Sequence, residues 1–346
     1  MAQTLALLSL LKKLISKELS SFSSIGLNNF LFCVIFLMSG DVGKPQNAFW
    51  TTLFFQLVLL APLFVTFSID TQRRWPRERI AAWPLTGTQR IFLSSISFAL
   101  NPLFIVLFIA YLFWMGLAIG LFFLLVGMIV HLAVYTISRL SSRVRAPVVL
   151  RIPNLPKTLG GVASQSFREL TSTLDFWAAI TLALSGTLYR LCVHTPDQDA
   201  LPILALFVGI AMSTTAQRML SLDSGRASLR YRLLPFAGWK LLIMLDGTFL
   251  LVLLILVSFL NLRTGIAFGL VALGVGRYPS VRQRVNQRRW RFVGGDVRFG
   301  IAQVVLGGIA AIGAARIGIS FLAGSAMFYV ASIFWGESLW KRFAVA

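Results

Sequence analysis

Residues 241–262 read LLIMLDGTFLLVLLILVSFLNL, with Asp246 the one charged side chain among them. A helix needs about 20 such residues to cross the hydrocarbon layer of a bilayer, somewhat fewer where the bilayer adapts. Working outward, comparable apolar stretches lie near residues 25–40, 48–69, 91–112, 114–138, 176–194, 201–217, 264–276, 300–315 and 317–335. Ten predicted spans result. The stretches 25–40 and 264–276 are short, and the second suits a re-entrant half-helix as well as a span. Composition agrees: 57% of the 346 residues are hydrophobic and 13% charged, about half the charged fraction of a soluble domain.

The 32 basic residues outnumber the 12 acidic ones, for a formal charge of +20. Such a balance suggests nucleic acid until the charges are located. They fall in short clusters between the apolar blocks, the pattern that anionic headgroups and the retention of basic loops inside the cell impose. The N-terminal segment, the loops 70–90, 139–173, 218–240 and 277–299, and the C-terminal segment together hold 28 of the 32. The other four are Lys44, Arg263 and Arg316 in the opposite loops and Arg190 within a span. Ten spans with both termini cytoplasmic reproduce this asymmetry in every loop. The expected location is the bacterial cytoplasmic (inner) membrane, with lipid as a partner and no nucleic acid.

Ahead of the first span, Leu7, Leu8, Leu11, Leu14, Ile15, Leu19 and Phe22 recur at helical spacing, with Lys12, Lys13 and Lys17 on the other face. That pattern predicts an amphipathic helix over residues 1–24 lying in the inner headgroup plane. The lysines follow the first leucines and no small-residue cleavage site appears, so a cleaved signal peptide is not expected.

Two loops resemble each other. One reads Arg79-Ile-Ala-Ala-Trp-Pro84-Leu-Thr-Gly87-Thr-Gln-Arg90 and the other Arg230-Tyr-Arg-Leu-Leu-Pro235-Phe-Ala-Gly238-Trp-Lys240; each runs into an apolar span. In both, arginine precedes proline by five, glycine follows it by three, and an acidic residue lies upstream (Asp70, Asp223). Proline disfavours helix just before itself, and glycine permits a sharp turn. The expected product is a short rigid element across the membrane face. Each loop follows the second span of a four-span set. The chain is therefore read as an all-α transmembrane bundle: 1–24 interfacial helix, 25–173 first half, 174–299 second half, 300–346 two further spans and a cytoplasmic tail.

An acidic residue after a span, a basic stretch and then L-P-x-x-G-x-K opening the next span resembles the permease subunits of bacterial ABC-2-type exporters. The fullest match is Asp223-Ser-Gly225-Arg-Ala-Ser-Leu-Arg230-Tyr-Arg-Leu-Leu-Pro235-Phe-Ala-Gly238-Trp-Lys240; the 70–90 loop lacks the glycine after its acidic residue. The resemblance implies a separate cytosolic ATPase, carrying ATP and magnesium, that docks on the segment between the second and third spans. Arg79, Pro84, Gly87, Arg90, Asp223, Arg230, Pro235, Gly238 and Lys240 would be its docking residues. Ten spans and two such segments depart from the common six-span plan. One chain would present two docking segments, or a homodimer would use one per chain.

The chain itself is read as no enzyme and as holding no cofactor. Gly40-Asp-Val-Gly43-Lys44-Pro45 lacks the spacing and the Ser/Thr of a phosphate-binding loop. His131 and His194 have no carboxylate or cysteine cluster nearby, so no metal site is expected, and Cys33 and Cys192 sit in apolar stretches. Three polar residues within spans are candidates for the translocation path. Asp246 serves the path or a buried ion pair, or is a carboxylate satisfied near the inner interface, and Arg190 lies too far toward the opposite end to be its partner. His131 is a satisfied interior histidine or a proton relay. Asn101, before Pro102, marks a kink that is a gate or only shape. The glycines at 307, 308, 313, 318 and 324 suggest close packing of the last two spans. An ABC permease is the leading expectation; a secondary transporter, or a membrane scaffold without transport, is the alternative.

Overall fold

A computed structural model describes residues 60–64, 86, 102–143, 161–192, 199–220, 237–282 and 292–345. The predicted interfacial helix, the span 25–40, most of 48–69 and the whole docking segment 79–90 except residue 86 lie outside them. Among the described residues there is no strand. Nine helices are described: α1 Pro102–Met115, α2 Leu117–Arg143, α3 Gly161–Thr171, α4 Leu174–Cys192, α5 Ala200–Ala216, α6 Gly238–Val257, α7 Leu262–Arg282, α8 Val297–Arg316 and α9 Ile319–Val345. Four of these, α2, α6, α8 and α9, contain stretches long and apolar enough to cross a membrane. α1 and α2 belong to one compact unit and α3 to α9 to another. Residues 300–346, set apart in the sequence reading, pack within the second unit.

In the first unit, α1 turns into α2 at Gly116, whose φ of 86° favours glycine. Phe123 organises this pair, with Tyr111 stacked on it at 4.7 Å and Phe104 at 5.2 Å. Phe64 meets Phe123 at 5.1 Å. The other side of α2 exposes Leu121, Leu125, Ile129 and Leu132, the apolar face that lipid requires.

The second unit is built around α7. Against α6 it runs antiparallel: a side chain at Gly265 would meet Val257, one at Gly269 would meet Leu253, and Arg277 reaches Asp246. α8 is antiparallel to it as well, with Gly307 against Phe268 and Gln303 bonded to the Ala272 carbonyl. α5 runs parallel, Gly209 against Phe268 and Gly276 against the Ala216 backbone. α9 is also parallel, with Phe328 on Gly274 and Trp335 stacked on Tyr278. Neighbours on four sides leave most of α7 buried, so it needs less hydropathy than a lipid-facing span; its one buried arginine, Arg277, is paired with Asp246, while Arg263 and Arg282 are exposed at its two ends.

That burial corrects three readings. The stretch 264–276 is part of a continuous 21-residue helix, about 31 Å long at 1.5 Å per residue. Sequence reading ends the stretch at 276, where the apolar block gives way to Arg277; in the packed unit the helix continues through Pro279 to Arg282. Arg277 is consequently not a loop residue. Within the predicted loop 139–173, α2 continues to Arg143 and α3 forms a short amphipathic helix. Buried Ser166 of α3 bonds Thr248 of α6 at 2.8 Å, and the Thr173 hydroxyl accepts from Phe176 N–H to start α4. The predicted turn at Gly238 is the first residue of α6 instead, with no positive φ. A side chain there would meet Trp340 at 3.1 Å, so its smallness serves packing.

The predicted glycine packing divides. Gly313 lies under Phe321 of α9 and Gly307 against α7, whereas Gly308 and Gly324 face open space and Gly318, with φ 98°, turns α8 into α9. Gly276 is the tightest test of the close approach. A Cβ there would stand 3.0 Å from the Ala216 carbonyl carbon and oxygen, backbone that cannot swing aside. Gly276→Ala is expected to cost about 1–3 kcal/mol, read as a lowered midpoint of thermal unfolding in detergent. Gly308→Ala should be neutral or stabilising by up to about 1 kcal/mol. Equal effects of the two would show that α5 and α7 do not approach this closely.

Candidate functional site

Asp246 lies two turns into α6, about 12 Å from Gly238 at 1.5 Å per residue. Its side chain is 1% exposed and that of Arg277 2%, and the Arg277 guanidinium donates to Asp246 Oδ2 at 2.5 Å. The Tyr329 hydroxyl of α9 donates to the same oxygen at 3.0 Å, and the guanidinium lies over the Tyr329 ring at 5.8 Å. Asp246 Oδ1 and Arg277 Nε have no hydrogen-bond partner among the described residues. Gly336 makes room for the arginine stem, since a Cβ there would come within 2.7 Å of Arg277 Cδ.

Asp246 is seen in a buried ion pair. Its partner comes from α7, and Arg190 instead donates to the Phe259 carbonyl at 2.7 Å. Asp246, Arg277 and Tyr329 join α6, α7 and α9 at one point. Separating two charges in so dry a place costs several kcal/mol, so α6 shifts against α7 and α9 only by carrying them along or by breaking this contact. That makes the cluster either a rigid joint or the element that must open in a conformational cycle.

A second polar layer lies near the same ends of α5, α7 and α8. Gln217 donates to Gln303 Oε1 at 2.8 Å and accepts the Asp296 N–H at 2.8 Å, while Gln303 donates to the Ala272 carbonyl at 2.7 Å. Asp175 accepts the Val293 N–H at 2.7 Å. Arg218 Nε donates to the Gly294 carbonyl at 2.7 Å; burial lowers its guanidinium pKa and the nearby Asp296 carboxylate opposes that shift. Together these contacts hold residues 293–296 against α4, α5 and α8. Buried unpaired amides would each cost about 1–3 kcal/mol, which explains why the Gln217 and Gln303 amides meet each other.

The sequence-predicted residues are scattered. Arg79, Pro84, Gly87, Arg90, Asp223, Arg230, Pro235 and Asn101 lie outside the described residues. Gly238 and Lys240 open α6, with Lys240 exposed beside the Trp239 ring. His131 is buried on α2 in the other unit. Arg277, Tyr329, Gln217, Gln303 and Asp175 were not anticipated. One signal was legible: a carboxylate inside a span calls for a cation, and Arg277 stands at the edge of the next apolar block. Among the described residues no group of histidines, cysteines and carboxylates is arranged to hold a metal.

Removing one partner leaves a buried charge. Asp246→Asn and Arg277→Gln should each destabilise by about 3–5 kcal/mol, and the Asp246→Asn/Arg277→Gln double variant should recover much of that loss. Tyr329→Phe should cost about 1–2 kcal/mol. Thermal unfolding in detergent reads all four; additive losses in the double variant would show that the two groups do not depend on each other.

No known protein family, curated protein or solved structure matches the chain. What it does is therefore carried by its own residues and their geometry.

Proposed function

We propose that the chain is the transmembrane permease subunit of an ATP-driven exporter, energised by a separate cytosolic ATPase. In this reading ten spans, in two similar four-span halves plus two, cross the bacterial cytoplasmic membrane with both termini inside. The observation that carries it is the second docking-like segment, whose Gly238 opens α6. Trp239 and Lys240 are exposed at that point, available to a soluble partner. Two turns further along the same helix, Asp246 ties α6 to α7 and α9. A push on the start of α6 therefore meets the buried ion pair directly, within one stiff rod. Energy supplied outside the membrane thus has a mechanical route to the bundle interior.

A secondary transporter is the second reading, favoured by the Asp246–Arg277–Tyr329 cluster itself, because intramembrane charges mark ion pathways. Transport into inside-out vesicles that follows an ion gradient without ATP would select it.

Pull-down of the tagged native chain in nanodiscs should recover a stoichiometric P-loop ATPase, identified by mass spectrometry. The Arg230→Glu/Lys240→Glu variant should still insert but lose that partner. Recovery of the chain alone, in lipid and with nucleotide present, would end the exporter reading. Orientation has its own test, since Cys192 is exposed at the end of α4 away from Lys240 and Lys341. In a Cys33→Ser background, a membrane-impermeant maleimide applied to intact spheroplasts should label Cys192; labelling only after lysis would invert the topology.

A further inference from the structure

The basic-inside pattern accommodates 28 of the 32 cations, Arg277 being also paired with Asp246, and disfavours cations on the other face. Three of the four exceptions, Arg190, Arg263 and Arg316, nevertheless gather at one end of the second unit, where α4 ends, α6 turns into α7 and α8 ends. Asp199 is the one acidic residue described at that end. Orientation gives no reason for such a cluster, so a local ligand is the better cause.

One of the three, Arg263, lines a groove, and the other two lie next to it in the chain or through a backbone contact. A groove of about 350 Å³ runs along the α6–α7 turn, lined by Asn261 and Arg263 on one side and by Ala314 and Ala315 of α8 on the other. Arg190 reaches this turn from α4 by donating to the Phe259 carbonyl, and Arg316 directly follows Ala315. None of the three makes an ion pair with a described residue. Asn261 Oδ1 accepts from the Thr264 N–H and hydroxyl at 3.1 and 3.0 Å, which fixes the amide and leaves its NH2 as a donor. The same ends of these helices expose apolar side chains: Leu188 and Leu191 on α4, Ile255 on α6 and Ile312 on α8, with Phe259 and Ile317 at the turns.

We propose that this groove, with Arg263 and Asn261 in it and Arg190 and Arg316 beside it, binds the phosphate of an anionic phospholipid whose acyl chains lie along the adjoining helix flanks. The occupant must be anionic at the helix ends and apolar just below them. Arginine suits phosphate because its planar fork donates two parallel hydrogen bonds. A free phosphate would meet the same guanidinium groups but gain nothing from the exposed leucines and isoleucines. A lipid with a zwitterionic headgroup would bring a second, positive charge against three arginines. The site depends on the membrane embedding of the second unit and not on the exporter reading.

Native mass spectrometry of the full chain in detergent tests this with equimolar phosphatidylglycerol and phosphatidylcholine of identical acyl chains. The wild type should retain phosphatidylglycerol preferentially. Each arginine substituted by glutamine should lower that preference about fivefold, the worth of one basic residue near an anionic surface. Lys341→Gln, at the opposite end, should leave it unchanged. Arg263→Gln alone suffices if the Arg190→Gln/Arg263→Gln/Arg316→Gln variant does not fold. Equal retention of the two lipids, or a preference that Arg263→Gln leaves undiminished, overturns the site. Complete displacement of phosphatidylglycerol by millimolar inorganic phosphate would show a site for free phosphate and overturn the lipid assignment.

Discussion

A carboxylate carried into the interior of a helix bundle must meet a cation or cost several kcal/mol, and the second unit is arranged around that constraint. Asp246 is placed by α6 where water is absent, so α7 has to bring Arg277 to the same depth. α9 then supplies Tyr329 to the same carboxylate oxygen, and Gly336 stays small so that the arginine stem can pass. These demands fix the relative heights of three helices. Register elsewhere follows: with Arg277 opposite Asp246, Gly269 faces Leu253 and Gly265 faces Val257 about two and three helical turns further along.

Close packing is what keeps the pair dry. α7 meets α5 through Gly276 on backbone, α8 through Gln303 and Phe268, and α9 through Gly274. Small residues let backbones approach where lipid offers no hydrophobic drive for helix association. Polar groups brought inside by that approach are satisfied by each other, as the Gln217–Gln303 pair and the bonds to residues 293–296 show. Polar and charged interior groups therefore concentrate toward the ends of α5, α6, α7 and α8 that also carry Lys240 and Arg282, while the far ends are largely apolar inside and carry their arginines at the surface.

This asymmetry bears on function. A push at the start of α6 reaches a charge pair within two turns, whereas the opposite end offers a shallow cationic groove open to lipid. On the exporter reading proposed above, the stiff input and the interior contact would lie on one helix, α6.

Sequence alone determined much of the coarse architecture. A 22-residue apolar run or a Phe- and Leu-rich block must be helical in lipid whatever surrounds it, so α2, α4, α5, α6, α8 and α9 each lie over the blocks predicted for them, with ends shifted by a few residues and more at the long ends of α2 and α9. The sorting of arginine and lysine into alternate loops is likewise a local, countable property. What sequence could not supply was anything settled by contact between distant residues. Arg277 sits 31 positions from Asp246, just past the apolar block as read from sequence; burial among α5, α6, α8 and α9 carries the helix beyond it to Arg282. Gly308 and Gly313 read alike in a string, yet one faces open space and the other a phenyl ring. α3 is too short and too polar to announce itself, and it exists because Ser166 and Leu170 find a surface on its neighbours. Helix formation in an apolar block depends on the block, whereas pairing, depth and close approach depend on which helices become neighbours, and that is decided in three dimensions.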